Sequence, residues 1–136
     1  MPVRKLKPIT PGQRFRIVNE YSEITTSNPE KSLLKTIKKT GGRNNQGRMT
    51  MRYKGGGHKK RYRIIDFKRD KYEIDAEVLS VEYDPFRSAF ISLVKYKDGE
   101  KRYILALKGL KVGTKLVSAK SAPPNIGNCM PVSYTH

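Results

Sequence analysis

Between Gly41 and Arg69 the chain reads GGRNNQGRMTMRYKGGGHKKRYRIIDFKR, and Asp66 is the only acid in it. No other stretch restricts the fold so strongly. Glycines, amides and cations alternate from Gly41 to Gly57 without apolar periodicity, so this part cannot bury enough surface to order itself. Glycine lets backbone N–H groups approach phosphate oxygens closely. The sequence therefore predicts a polyanion-gripping loop that takes its shape on a ligand and passes into a strand at Arg61. The residues before it read as an arm, and those after it as the β-structure that anchors it.

The charge distribution supports a binding surface. Of 136 residues, 29 are Lys or Arg and 12 are Asp or Glu, giving a net charge of +17. Residues 1–34 carry +3, residues 35–69 carry +12 and residues 70–136 carry +2. A solubility device would be spread along the chain, and a merely solvated face would mix signs. Self-repulsion on this scale disfavours compactness until something negative neutralises it, which makes nucleic acid the expected partner.

The length allows one modest domain. The prolines at 2, 8, 11 and 29 and Gly12 forbid a long helix before residue 32. Phe15, Ile17 and Tyr21 form a short alternating patch suited either to adding an edge strand or to lying on the domain. A helix of one or two turns is expected within Ser27 to Lys39, capped by Asn28 with Pro29 at its first position. From Arg61 onward, β-branched and aromatic runs predict strands over 61–68, 74–83, 88–96, 101–107 and 114–118. Leu79, Val81 and Tyr83 alternate on one face, as do Ala89, Ile91 and Leu93, while Phe90, Val94 and Tyr96 give the third strand a second apolar face. That strand should be central. Pro85 presets a reversal at Tyr83 to Arg87, Asp98-Gly99 supplies a hairpin turn, and Gly109 and Gly113 mark a turn and a bulge.

The expected architecture is mainly β, a small five-stranded OB-like barrel with a long basic N-terminal extension. A short sandwich and an SH3-like barrel compete with it. Residues 1–60 are the arm and glycine-rich loop, 61–120 the barrel, and 121–136 a C-terminal linker without an obvious element of its own.

Catalytic chemistry finds no support in these residues. The two histidines, His58 and His136, have no carboxylate or cysteine at triad or metal-ligand spacing. Neither GxxxxGK[ST] nor GxGxxG occurs, so Gly55 to Gly57 is not a nucleotide loop. Cys129 is the only cysteine, which rules out a disulfide framework and a four-cysteine zinc site. The reading is a non-enzyme with no cofactor, no metal, no small-molecule substrate and no membrane partner. Since no signal-peptide core is present, it is placed in a soluble, reducing compartment.

Nucleic-acid chemistry is well supplied. Phosphates take guanidinium forks, ammonium groups and backbone N–H, whereas bases take flat faces and amide edges. Arg43, Asn44, Asn45 and Gln46 offer both kinds. Tyr53 stands between Arg52 and Lys54, and Tyr62 between Arg61 and Arg63, so stacking and charge can act on one strand. Tyr62 could equally be a core residue. RNA is favoured over DNA because no amphipathic recognition helix is available for a major groove. A free-standing single-strand binder or RNA chaperone is the alternative.

The same motif, with EYDPFRSAFISLVKYKDGEKRYILALKGLKVG and the opening KLKPITPGQR, resembles the universal large-subunit ribosomal protein two family in its bacterial or organellar form. The resemblance implies an OB-like domain on large-subunit ribosomal RNA among neighbouring ribosomal proteins, in the cytoplasm or an organellar matrix. It carries RNA contact onto Arg43, Asn44, Asn45, Arg48, Arg52, Tyr53, His58, Lys59, Arg61, Lys68, Arg69 and Arg87. The candidate set is completed by Lys39, Lys54, Lys60 and Arg63. Three departures stand out: Tyr72-Glu73-Ile74-Asp75 occupies a turn usually Asp-Gly-Ile-Pro, Phe86 replaces an Asn, and Leu107 replaces a Pro. Family members continue into an SH3-like domain and a basic tail, so a split gene product, a fragment or a truncated reading is expected.

Overall fold

The computed structural model describes residues 2–132. Among them are eight short strands: β1 (Val3–Lys5), β2 (Ile17–Asn19), β3 (Leu34–Thr36), β4 (Arg61–Arg63), β5 (Ala76–Glu82), β6 (Ile91–Tyr96), β7 (Lys101–Leu105) and β8 (Lys115–Leu116). Two single 3₁₀ turns, Pro11–Gln13 and Lys31–Leu33, are the helical elements among the described residues. The chain is mainly β, in a curled sheet that fits the OB-like type.

The main sheet is antiparallel, in the order β7-β6-β5-β8. β6 is central, as its two apolar faces predict. Val94 and Tyr96 point into a cluster with Ala76, Val78, Ile104, Leu110 and Leu116, while Ile91 and Leu93 pack on the other side with Ile65 and Tyr103. Gly99 takes φ 90° in the β6–β7 turn, where the Tyr96 N–H donates to the Glu100 carbonyl. Three residues lie inside that closing pair, one more than the Asp98-Gly99 reading allows.

Three expectations need correction. First, the inward run of β5 is Ala76, Val78, Ser80 and Glu82, while Leu79 and Tyr83 are exposed. The register slips between Val78 and Ser80, so Leu79 is the extra residue of a bulge, which alternation counting cannot anticipate. Val81 is buried where the arm covers it: the Thr25 N–H donates to the Val81 carbonyl and the Val81 N–H to the Thr25 hydroxyl. Second, the helix expected after Pro29 is one 3₁₀ turn followed directly by β3, because Leu34 to Thr36 finds a partner strand in β4. Third, the strand expected over 61–68 is only Arg61–Arg63 and pairs with β3, leaving four strands in the main sheet.

The segment after β4 nevertheless reaches both edges of that sheet. Ile65 bridges Tyr103 on β7, and the Asp66 N–H donates to the Tyr103 carbonyl. Further on, Tyr72 bridges Ser118, and the Glu73 N–H donates to the Ser118 carbonyl beyond β8. The C-terminal segment also returns: Ser118 bridges Cys129, and Asn128 Oδ1 accepts the Val117 N–H at 2.9 Å.

Residues 21–33 of the N-terminal arm are folded back onto the sheet. Tyr21 sits edge-on to Tyr83 at 5.8 Å and close to Phe90. Further along, the Glu30 N–H donates to the Tyr103 hydroxyl at 2.8 Å, and that hydroxyl donates to Glu82 Oε2 at 2.8 Å. Glu82 is buried and its other oxygen accepts the Ser80 hydroxyl. Burial first, with the hydrogen bond and charge of Glu82 adding, holds the Tyr103 phenol well above the usual tyrosine range, so it stays a donor. Tyr103→Phe removes this link and leaves a buried carboxylate oxygen and the Glu30 N–H unpaired. It should cost about 1–3 kcal/mol in urea unfolding and open the 20–33 segment to proteolysis. An unchanged midpoint and cleavage pattern would show that the arm is held elsewhere.

Acids and cations pair off on the barrel. The Arg102 guanidinium binds Asp66 at 2.8 Å, Asp70 at 2.5 Å and Glu100 at 2.6 Å, and Lys71 binds Asp98 and Glu100. Arg102 holds the Asp70 carboxyl below its ordinary 3.8, and Lys71, then Arg102, hold Glu100 below its ordinary 4.5. Carboxylates depressed in the folded state contribute stability above their unfolded values and lose it as the pH falls through the folded ones. Thermal midpoints should therefore drop from about pH 6 to about pH 3, and by less in Arg102→Leu than in the parent. Equal drops would exclude the Arg102 cluster as the source.

Candidate nucleic-acid interface

The basic loop is carried on a two-stranded neck. β3 and β4 pair antiparallel, with Leu34 opposite Arg63, Lys35 opposite Tyr62 and Thr36 opposite Arg61, and the Ile64 N–H donates to the Leu33 carbonyl. Everything from Ile37 to Lys60 is therefore an excursion from one short ribbon. Sequence reasoning placed Arg61 as the hand-over point but missed β3. The Leu-Lys-Thr-Ile run after Pro29 carried that signal and was hidden by the helix-cap pattern.

Inside the excursion the chain bonds to itself, giving Gly41–Gly57 more local order than its composition predicts. Asn44 Oδ1 accepts the N–H groups of Gln46 at 3.0 Å and Arg48 at 2.9 Å, an Asx-type turn that Gly47 closes at φ 79°. Arg43 bridges Met49, and the Gly42 carbonyl accepts the N–H groups of Thr50 and Met51. Gly42 is buried at φ 75°, and a Cβ there would lie 2.3 Å from the Met51 carbonyl oxygen.

The candidate residues separate into two groups. Lys39, Arg43, Asn45, Arg48, Arg52, Tyr53, Lys54, His58, Lys59, Arg61 and Lys68 are exposed. Among the described residues, no carboxylate pairs with the cations of this group. Lys38, Lys39, Lys59 and Lys60 surround a recess of about 510 Å3 at the base of the loop, where Lys39 Nζ donates to the His58 carbonyl. Tyr53 is fully exposed at φ 60°, a left-handed conformation that costs a side-chain-bearing residue free energy.

The second group is engaged by the protein's own groups, though Asn44 and Lys60 remain exposed. Asn44 is occupied by its turn. Arg63 is buried, with one guanidinium nitrogen donating to the Arg61 carbonyl at 2.7 Å and its Nε without a protein partner. Arg69 donates to Ser118 Oγ at 3.1 Å and to the Gly127 carbonyl at 3.0 Å, tying the loop after β4 to the C-terminal segment. Arg87 binds the buried Asp84 at 2.6 Å and lies over the Phe67 ring. Lys60 donates to the Pro85 carbonyl and sits over Phe86. Tyr62 is half-buried and edge-on to Phe86 at 5.3 Å, the core alternative for that residue.

Fold and surface together describe a basic, OB-like β-domain from which a cation-rich loop projects. A family model described as Ribosomal Proteins L2, RNA binding N-terminal domain, matches residues 30–118, and the chain belongs to that family. Relatives named large ribosomal subunit protein uL2 match almost all of it. That of Christiangramia forsetii is 69% identical over 134 residues, covering 98% of this chain and 48% of the relative. Those of Flavobacterium johnsoniae and Cytophaga hutchinsonii are 67% and 59% identical over 133 residues, with the same coverage. The chain spans about half the length of the curated relatives it matches.

Gly42→Ala tests whether the loop's shape is its own. The added methyl cannot coexist with the Met51 carbonyl, so amide exchange at Thr50 and Met51 should rise about tenfold or more, from about 1–3 kcal/mol of local strain. Global unfolding should hardly change, because nothing from the barrel core touches Gly42 in its three nearest contacts. Unaltered exchange would mean that these hydrogen bonds do not shape the loop.

Proposed function

We propose that this chain is a structural constituent of the large ribosomal subunit that binds large-subunit ribosomal RNA through the Ile37 to Lys60 excursion. The observation that carries the reading is the division of charge. Six acids of the barrel, Asp66, Asp70, Asp75, Asp84, Asp98 and Glu100, are matched by Arg102, Lys71, Lys97 and Arg87, while the exposed cations of the loop have no acidic partner among the described residues. The family match and the uL2 relatives say which polyanion to expect.

In this reading Arg43, Arg48, Arg52, Lys54, Lys59 and Arg61 neutralise phosphates, and the lysine-lined recess receives one of them. Asn45 offers an amide edge and Tyr53 a free ring for an unpaired base. Asn44, Arg63, Arg69 and Arg87 act one step back, by fixing the turn, the neck and the flanking loops. In this reading the segment 65–73, which bridges Tyr103 at one edge of the sheet and Ser118 near the other, stands in for the fifth strand of the expected barrel. Neighbouring ribosomal proteins share the site, and the setting is the ribosome, in the cytoplasm or an organellar matrix. The mechanism is neutralisation and stacking, without turnover.

If six or more phosphates are met, affinity for large-subunit ribosomal RNA should fall on the order of a thousandfold between about 50 and about 200 mM salt. Arg43→Ala with Arg48→Ala should weaken binding and flatten that dependence while leaving the thermal midpoint in place, since both side chains are exposed. Equal affinity for ribosomal RNA and for simple polynucleotides would favour the free-standing binder instead.

A further inference from the structure

We infer that Phe86, on the β5–β6 loop, is the positioning residue of the basic loop. Its ring clamps the β4 leg of the neck against the barrel and so fixes the direction in which the Ile37 to Lys60 excursion is presented. The inference rests on the ribosomal RNA reading above and deepens it, because control of that site is assigned to a residue outside the excursion.

The neck needs such a support. β3 and β4 share three register pairs, and a ribbon of that length is marginal in water by itself. Lys35, Thr36 and Arg61 are all exposed on it. The β3 leg is held from Glu30, through Tyr103 and Lys101. The β4 leg is held by the loop between β5 and β6. Tyr62 meets Phe86 edge-on, with centroids 5.3 Å apart and planes at 81°. Lys60 Nζ donates to the Pro85 carbonyl at 3.1 Å and lies 5.8 Å from the centre of the Phe86 ring. One ring thus receives an aromatic side chain and a cation from residues two apart, and both contacts depend on its π-system.

The base of the clamp is firm. Asp84 is fully buried, and its two oxygens accept the Phe86 N–H at 2.9 Å and the Arg87 Nε–H at 2.6 Å. Arg87 in turn lies over Phe67, on the segment that follows β4. Phe86 itself is half-buried and belongs to neither buried cluster, so its ring is spent on the neck. It is also one of the three departures named above, and an asparagine in its place would offer Tyr62 and Lys60 no aromatic face. Without the ring the neck samples other directions, and affinity falls with the fraction of molecules that present the loop correctly, although no phosphate contact is lost.

The test uses the full chain, Phe86→Asn, Tyr62→Leu and the double variant. Amide exchange at Ile64, whose N–H closes on the Leu33 carbonyl in the neck, is measured in the free protein, and affinity by salt titration on deproteinised large-subunit ribosomal RNA. Phe86→Asn should raise that exchange about tenfold and weaken binding by about the same factor, with the urea midpoint near the parent's. The salt slope should stay unchanged, since every loop cation remains. The double variant should bind within about twofold of Phe86→Asn, because the second change removes a contact already lost. Unchanged exchange in Phe86→Asn overturns the clamp, as does a fall in the urea midpoint large enough to account for faster exchange. Faster exchange with full affinity overturns its role in binding, and losses that multiply in the double variant would make Phe86 a direct RNA contact instead. If the parent chain shows no salt-dependent binding, the RNA reading fails, and exchange in the free protein still decides whether Phe86 holds the neck.

Discussion

The hydroxyl of Tyr103 joins parts of the chain that strand pairing alone does not connect. It accepts the N–H of Glu30 from the arm and donates to Glu82 on β5, while the backbone carbonyl of the same residue accepts the N–H of Asp66. Lys101, two residues earlier on β7, adds an ion pair to Glu30 at 2.6 Å. β3 begins four residues after Glu30, and β4 ends two residues before Ile65. Both legs of the neck are thus set down beside one buried phenol, and the direction in which the loop leaves the domain follows from that. A buried carboxylate is costly unless its oxygens are bonded, so Glu82 makes this position intolerant of alternatives.

Charge is then distributed according to which partners are within reach. With 12 acids against 29 cations, most cations must go unmatched. Acids and cations that pair do so around the β6–β7 turn, the loop after β4 and the β5–β6 loop, where carboxylates such as the nearly buried Asp66 and the buried Asp84 would be costly alone. Cations without an acidic partner among the described residues are concentrated on the excursion and the ribbon, with others such as Lys95, Lys111 and Lys115 exposed on the barrel, and water solvates them. Such a surface is stable when free and has most to gain when a polyanion arrives.

How far the sequence discloses this depends on the length of each element. Each of the five strands expected after Arg61 contains an observed strand, because runs such as Ala76–Glu82 and Ile91–Tyr96 are long enough to show their two-residue period. β1, β2 and β3 are three residues each and show no period, and their partners are supplied by the fold. The bulge at Leu79 inverts alternation within a strand that was otherwise placed correctly. Glu73 is instructive in the opposite sense: it stands where the family's usual turn has glycine, and its φ is 62°.

The candidate interface was legible as a composition and much less as a set of individual placements. A cation in the window 35–69 was a sound candidate for solvent exposure, yet Arg63 is buried and Arg69 spans to Ser118 and Gly127. Nothing in a basic run marks which guanidinium will be turned inward, because that depends on acceptors brought by distant segments. Tyr62 and Tyr53 show the same limit, with identical neighbours in kind and opposite placement. The neck separates them: Tyr62 lies on β4 with Phe86 above it, and Tyr53 lies beyond the last strand pairing with nothing to cover it. A cation–aromatic–cation triplet therefore acquires its meaning from what the fold places against its ring.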